Sequence, residues 1–388
     1  MQKTWKKALV YAGIVLFFLV LAYGFVPQVL GGKIVNQSDI SGYVGMAREA
    51  NQWDKAHPDD PTAWTNSMFG GMPTTMITGN HEGDWTQKIY DAFLTGRRPA
   101  TYLFITLLGA FLLLLSLGID KILAIGGAVA VAFCSYNMQI IQVGHNTKMM
   151  AIAWLPWVLA AVIFTYRSAL GTYRKPEDNS EKCWKSWLPQ AVLGAALFGM
   201  ALNFQIKANH IQISYYLAII IFCYAIGLFI WLISDKERRR GIGKFFAASF
   251  LLLFLGIVGI GANANKLIPM YRYSHQTMRG GSELTVEGNA DKSKGLDIEY
   301  ATSWSYGWQE LPNLMIPNFN GGSSAGAVNP SKSETVKLLK RYGQTNVREV
   351  AKTLPLYWGP QPFTAGPMYV GAITVFLFLL GLFLCDGK

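Results

Sequence analysis

Apolar positions in this chain run in long blocks rather than alternating. A block from about 8–25 follows a short basic start, and others cover roughly 101–117, 122–136, 149–166, 188–204, 211–233, 245–262 and 369–385. Several approach the ~20 apolar residues that cross a hydrocarbon core of about 30 Å. The pattern predicts an all-α polytopic membrane protein with about eight transmembrane helices. Two polar, Gly/Pro-containing stretches interrupt the blocks. The expected organisation is a first transmembrane helix over 1–26, a first large extracytoplasmic loop over 27–100, a six-helix transmembrane region over 101–262, a second large extracytoplasmic loop over 263–367, and a last helix over 368–388. The third span is the weakest. Ile122–Cys134 is short, and Ser135-Tyr136-Asn137 turns polar early, although Met138-Gln139-Ile140-Ile141 can extend it. The two loops are expected to carry short amphipathic helices and to form a lid.

Charge sets the orientation. Lys3, Lys6 and Lys7 precede the first block. Lys121, then Arg167, Arg174, Lys175, Lys182 and Lys185, then Lys236, Arg238, Arg239, Arg240 and Lys244 fill alternate connections. The short connections on the other side hold only Lys148 and Lys207. This is the distribution of the positive-inside rule, and it puts both termini in the cytoplasm. Arg97 and Arg98 break the pattern, but they belong to a long loop, where the rule is weak. The first block reads as an uncleaved helix rather than a signal peptide, being long and followed by further spans.

Composition agrees. The 388 residues are 51% hydrophobic and 15% charged, which is too apolar for an ordinary soluble chain. The net charge of +11 sits largely at helix ends, so it excludes a nucleic-acid interface. Cys134, Cys223 and Cys385 lie in or beside apolar blocks and Cys183 in a basic connection, with no CxxC spacing and none in either loop. A disulfide framework, a zinc ribbon and a redox motif are all unsupported. No GxxxxGK[ST], HExxH or GxSxG pattern occurs. Asn36-Gln37-Ser38 fits a glycosylation acceptor only formally. The small residues of Gly126-Gly127-Ala128-Val129-Ala130 permit close helix packing.

Polar residues at the outer membrane face need a reason, because charge is costly there. Asp39 follows the first span. Its carboxylate can take a proton from an attacking hydroxyl, hold a divalent cation against a phosphate, or cap a helix over Tyr43–Lys55. His145 and Lys148 share the turn between spans three and four, and Lys207 and His210 share the turn between spans five and six. Two such His/Lys pairs on one face suit an anion. In the second loop, Trp304, Tyr306, Trp308 and Glu310 interleave rings with polar groups. That combination suits a sugar, and equally an interfacial aromatic belt. In the first loop, Trp64–Pro73 carries Gly-Gly and Pro and predicts a compact turn.

With these residues in hand, the chain resembles the YfhO-like family of bacterial membrane proteins, particularly the forms found in Bacteroidetes. The match rests on VNQSDISGY, WTNSMFGGMP, GHNTKMMAIAWLPW, NHIQISYY and YATSWSYG…LMIPNFNGGSS, and it spans most of the chain. Family members are commonly longer, so the chain looks like an N-terminal portion. The family is similar to membrane glycosyltransferases of the GT-C fold. The resemblance implies residence in the bacterial inner membrane and a polyprenyl-phosphate sugar as donor. It also implies transfer to a cell-envelope glycan or lipid acceptor on the extracytoplasmic side. By position Asp39 matches the family's first-loop acid, as the base. His145, Lys148, Lys207 and His210 would then hold the donor phosphate, and Trp304, Tyr306, Trp308 and Glu310 the sugar or acceptor. Ser38-Asp39-Ile40 lacks the paired acids common in that fold, which leaves a divalent cation open. Two alternatives stand beside this: a non-catalytic lipid- or polymer-binding transporter or flippase component, and an incomplete half of the enzyme.

Overall fold

The computed structural model describes residues 2–77, 85–94, 96–171, 184–277, 280, 298–364 and 366–384. Arg174, Lys175, Lys182, Cys183, Asp297 and the segment 385–388 lie outside the described residues. The chain is mostly helical and divides into two compact units. The first is Met1–Phe133 with Ile140–Met270, and the second is Cys134–Gln139 with Tyr271–Lys388.

The apolar blocks up to residue 262 form α1 (Gln2–Phe25), α5 (Ala100–Ser116), α6 (Lys121–Ala132), α7 (Ser135–Val143), α8 (Asn146–Leu170), α9 (Trp184–Lys207), α10 (Ile211–Ile233) and α11 (Ile242–Gly261). The polar stretch after α1 supplies α2 (Ser38–Met46), α3 (Arg48–Ala56), a hairpin of β1 (Trp64–Thr65) and β2 (Met72–Pro73), and α4 (Gln87–Phe93). α12 (Ala264–Ser274) follows α11.

Among the described residues, six helical segments are long and apolar enough to cross a membrane: Trp5–Phe25, Lys121–Val143, Asn146–Leu170, Trp187–Lys207, Ile211–Ile233 and Arg238–Gly261. Two further apolar blocks form shorter helices, α5 and α16 (Ala372–Leu384). At ~1.5 Å per residue, the 17 residues of α5 make about 25 Å and the 13 of α16 about 20 Å. Large apolar side chains on α10, α11 and α16 face outward, Phe222, Phe250, Leu253 and Phe383 among them. Outward apolar faces on helices of this length are what a membrane-crossing helix presents to lipid. The third block is split in two: α6 ends at Ala132 and α7 begins at Ser135, with the break at Phe133-Cys134.

Small residues let these helices approach. Ala124, Ala128 and Ala132, one turn apart on α6, are wholly buried. A Cβ on Gly259 of α11 would lie 2.4 Å from the carbonyl oxygen of Gly199 on α9, so only glycine fits. Asn263 then donates to Asn203 Oδ1 at 2.8 Å, tying the start of α12 to α9. The off-pattern Arg97 has a local task. Its Nη1 donates to Val29 O at 2.7 Å and its backbone N–H to Tyr23 Oη at 3.0 Å, fastening the approach to α5 onto the end of α1.

The Trp64–Pro73 segment does turn compactly, with Phe69, Gly70 and Gly71 all at positive φ. Ser67 Oγ donates to Met46 O and Thr65 Oγ1 to Glu49 Oε2, which seats the hairpin on α2 and α3.

The second unit holds α13 (Ile298–Thr302), a 3-10 turn over Trp308–Leu314, α14 (Glu334–Arg341), α15 (Val347–Val350) and α16. Its small core is Val336, Val347 and Ala351. Short helices therefore occur in both polar stretches.

Candidate functional site

Asp39 lies in the first turn of α2, one residue inside, and not at the cap. Gln37 is the N-cap, with extended backbone and no side-chain capping bond. The helix-cap reading of Asp39 is thus not realised. Gln37 works elsewhere: its side-chain amide exchanges hydrogen bonds with that of Asn146 at 3.2 and 3.1 Å and also donates to Ile141 O. Gly144 makes this approach feasible. Its φ of +109° suits glycine, and a Cβ there would sit 3.1 Å from Gln37 Cβ and 3.2 Å from Asp39 Cβ. The turn between α7 and α8 is in this way clamped onto the start of α2. The result is a direct side-chain contact: His145 Nε2 lies 2.9 Å from Asp39 Oδ2, with the two side chains 48% and 47% exposed.

Lys207 and His210 flank the turn between α9 and α10, where Asn209 takes the left-handed conformation at φ +62° that asparagine tolerates. His210 Nε2 is buried and has no hydrogen-bond partner among the described residues. Burial pushes the protonation of His210 below the usual histidine range, and the charges of Lys148 and His145 push it further. Asp39, His145, Lys148 and His210 therefore gather at one end of the helices.

Lys207 is buried. Its Nζ donates to Gln87 Oε1 at 3.3 Å and stands 5.9 Å from the centre of the Tyr90 ring. Lys266 on α12 is its neighbour. Burial and then the charge of Lys207 hold the Lys266 ammonium below the usual lysine range. The two lysines line a cavity of about 320 Å³ together with Arg98, Tyr43, Asn146 and Thr147. Among the described residues no carboxylate lines it. Cations gathered on one cavity wall repel one another, and an anion relieves that cost. Sequence reasoning singled out Lys207 but missed Arg98, Lys266 and Tyr43.

Beside this cavity runs an apolar groove of about 540 Å³. Leu112 and Leu115 of α5, Trp154, Trp157 and Phe164 of α8, and Leu193, Leu197 and Phe204 of α9 line it. α4 divides the two spaces. Its Ile89 and Phe93 line the groove, while Tyr90, and Leu94 just after it, line the basic cavity. Phe204 packs on Trp154, Tyr90 and Phe93 with ring centres 5.0, 5.5 and 5.8 Å away, so an aromatic layer marks the junction.

The second unit places the aromatic group differently. Glu310 is wholly buried and bonded internally. It accepts from Tyr357 Oη at 2.5 Å, from the Gly307 N–H at 3.0 Å and from Gln361 Nε2 at 3.4 Å. Burial first, then the bond to Glu310, raise the Tyr357 hydroxyl to about 12. Trp304 Nε1 donates to Phe363 O at 3.1 Å, and Tyr306 Oη accepts from the Met368 N–H. Trp308 is 86% exposed. The polar atoms of Trp304, Tyr306 and Glu310 therefore serve the fold of this unit.

Among the described residues no three His, Cys, Asp or Glu side chains group closely enough to hold a metal ion. No protein-family model matches the chain, and no curated protein or solved structure shows significant similarity to it.

Proposed function

We propose that this chain is a membrane glycosyltransferase of the GT-C type that takes its sugar from a polyprenyl-phosphate donor. One observation carries the reading: a basic cavity and an apolar groove lie on the two faces of α4. The cavity suits a phosphate and the groove suits the adjoining hydrocarbon chain. Arg98, Lys207 and Lys266 hold the phosphate, with Lys148 and His210 close by. Eight membrane crossings, with both termini in the cytoplasm of a bacterium, put this end of the helices on the extracytoplasmic side. A cell-envelope glycan or lipid is the acceptor there.

In the reaction, the acceptor hydroxyl oxygen attacks the anomeric carbon and forms the new glycosidic bond. The bond from that carbon to the phosphate oxygen breaks, and the polyprenyl phosphate leaves with the electron pair. Asp39 takes the hydroxyl proton on Oδ1, while His145, donating from Nε2 to Oδ2, fixes the carboxylate. The basic cavity stabilises the charge on the leaving phosphate. His145 is thereby reassigned from donor binding to orienting the base.

The test is sugar transfer by the purified protein in nanodiscs, using a polyprenyl-phosphate sugar and a hydroxylated lipid acceptor. Asp39→Asn should lower turnover by about 10²-fold or more while leaving the helical content unchanged. Unaltered turnover would remove Asp39 as base. The break between α6 and α7 favours a second reading, a lipid- or polymer-binding transporter component, since broken helices recur in transporters. Lipid flux in sealed vesicles without sugar transfer would select it.

A further inference from the structure

We infer that a second cavity of the first unit binds a phosphate ester, and that this is the headgroup of the acceptor. The cavity measures about 430 Å³ and is bounded by Lys33, Gln37, Arg97, Arg98, Tyr102 and Asn146. Three of these six are cations, and among the described residues no carboxylate lines the space. Arg97 Nη1 is committed to Val29 O and Leu30 O, so Lys33 and Arg98 are the cations offered to a ligand. Gly32, at φ +81°, makes the turn that places Lys33 on this wall. Two cations beside the Asn146 amide, which has a second N–H beyond the one bonded to Gln37, are what a phosphate ester needs, and the volume admits a small headgroup attached to it.

The location connects this cavity to the first one. Arg98, Tyr102 and Asn146 line both, so the two spaces share a wall. Asn146 directly follows His145, and Ile40, another lining residue, directly follows Asp39. The Asp39–His145 pair lines neither cavity itself but is joined through the chain to residues that do, Ile40 and Asn146. The acceptor role rests on the transferase reading, whereas the phosphate-ester site stands on the cavity alone.

The experiment uses the full chain in phosphatidylcholine nanodiscs. Glycerol 3-phosphate is titrated as a soluble probe, and phosphatidylglycerol is added to the bilayer as a lipid-borne one. Polyprenyl phosphate is measured in parallel. Lys33→Gln should weaken the headgroup probes about tenfold and leave polyprenyl phosphate unchanged, and Lys266→Gln should do the reverse. Arg98→Gln should weaken both. Tighter capture of phosphatidylglycerol than of glycerol 3-phosphate identifies a lipid acceptor, and the opposite order a soluble one. Equal binding by Lys33→Gln and wild type, or no binding of either probe to a helical wild-type protein, overturns the inference. Headgroup binding without polyprenyl-phosphate binding supports this site and overturns the transferase reading.

Discussion

Replacing Gly144 by alanine should be among the most damaging small changes in the first unit. Two costs add. A side chain at φ +109° leaves the conformations open to L-residues, a strain of about 1–3 kcal/mol. The new Cβ would also meet Gln37 Cβ at 3.1 Å, Asp39 Cβ at 3.2 Å and Ile40 N at 3.3 Å. These are backbone-anchored atoms that cannot swing aside, so overpacking adds about 1 kcal/mol or more. The sum is about 2–4 kcal/mol. Gly343 supplies the control, because at φ +76° its Cβ would meet nothing within 4 Å. Gly343→Ala should cost only the backbone term of about 1–2 kcal/mol. Denaturant unfolding in one detergent compares the two variants with wild type. A Gly144→Ala loss no larger than that of Gly343→Ala would refute the clamp between α2 and the α7–α8 turn.

Three further outcomes are expected. Asp39→Asn should change unfolding stability by no more than ~1 kcal/mol, since its contact with His145 is about half exposed and screened. A larger loss would make the pair structural. His210 has a depressed protonation in the folded state, so below about pH 6.5 the unfolded chain gains its proton first and stability falls as pH falls. His210→Asn should flatten that decline in melting curves at pH 7.5 and 5.5, and identical slopes would contradict the burial of its imidazole beside Lys148 and His145. Glu310→Gln leaves one side-chain oxygen for the two donors Gly307 N–H and Tyr357 Oη and turns the other acceptor into a donor, and should destabilise the second unit by about 2 kcal/mol. Proteolysis of segment 298–364 at the wild-type rate would count against that role.

Much of the fold was legible in the sequence because apolar blocks of this length leave few options in a bilayer. The Gly-Gly-Pro turn at Trp64–Pro73 was legible for a similar reason: local backbone preference decides it. The split at Phe133-Cys134 was hinted at by the early polar run Ser135-Tyr136-Asn137, but continuous hydrophobicity through Met138–Ile141 masked it. Asp39 and His145 were each singled out by type and position. Their pairing was not, because it depends on Gly144 and the Gln37–Asn146 bonds, contacts between segments over a hundred residues apart. Arg98 and Lys266 looked like loop charges and only folding brings them beside Lys207. Glu310 shows the converse relation between type and surroundings. An acid among aromatic residues suggests a ligand site, yet its carboxylate closes a turn and holds Tyr357.

The most direct test of the account is the affinity of the purified protein for a polyprenyl phosphate, measured in nanodiscs for wild type, Lys207→Gln, Lys266→Gln and Leu197→Trp. The account expects the lysine variants to lose about tenfold or more each through the phosphate. It expects Leu197→Trp, which fills the groove, to weaken the long-chain ligand while sparing a short-chain alkyl phosphate. Retention of full affinity by all three variants would contradict a lipid phosphate lying across α4.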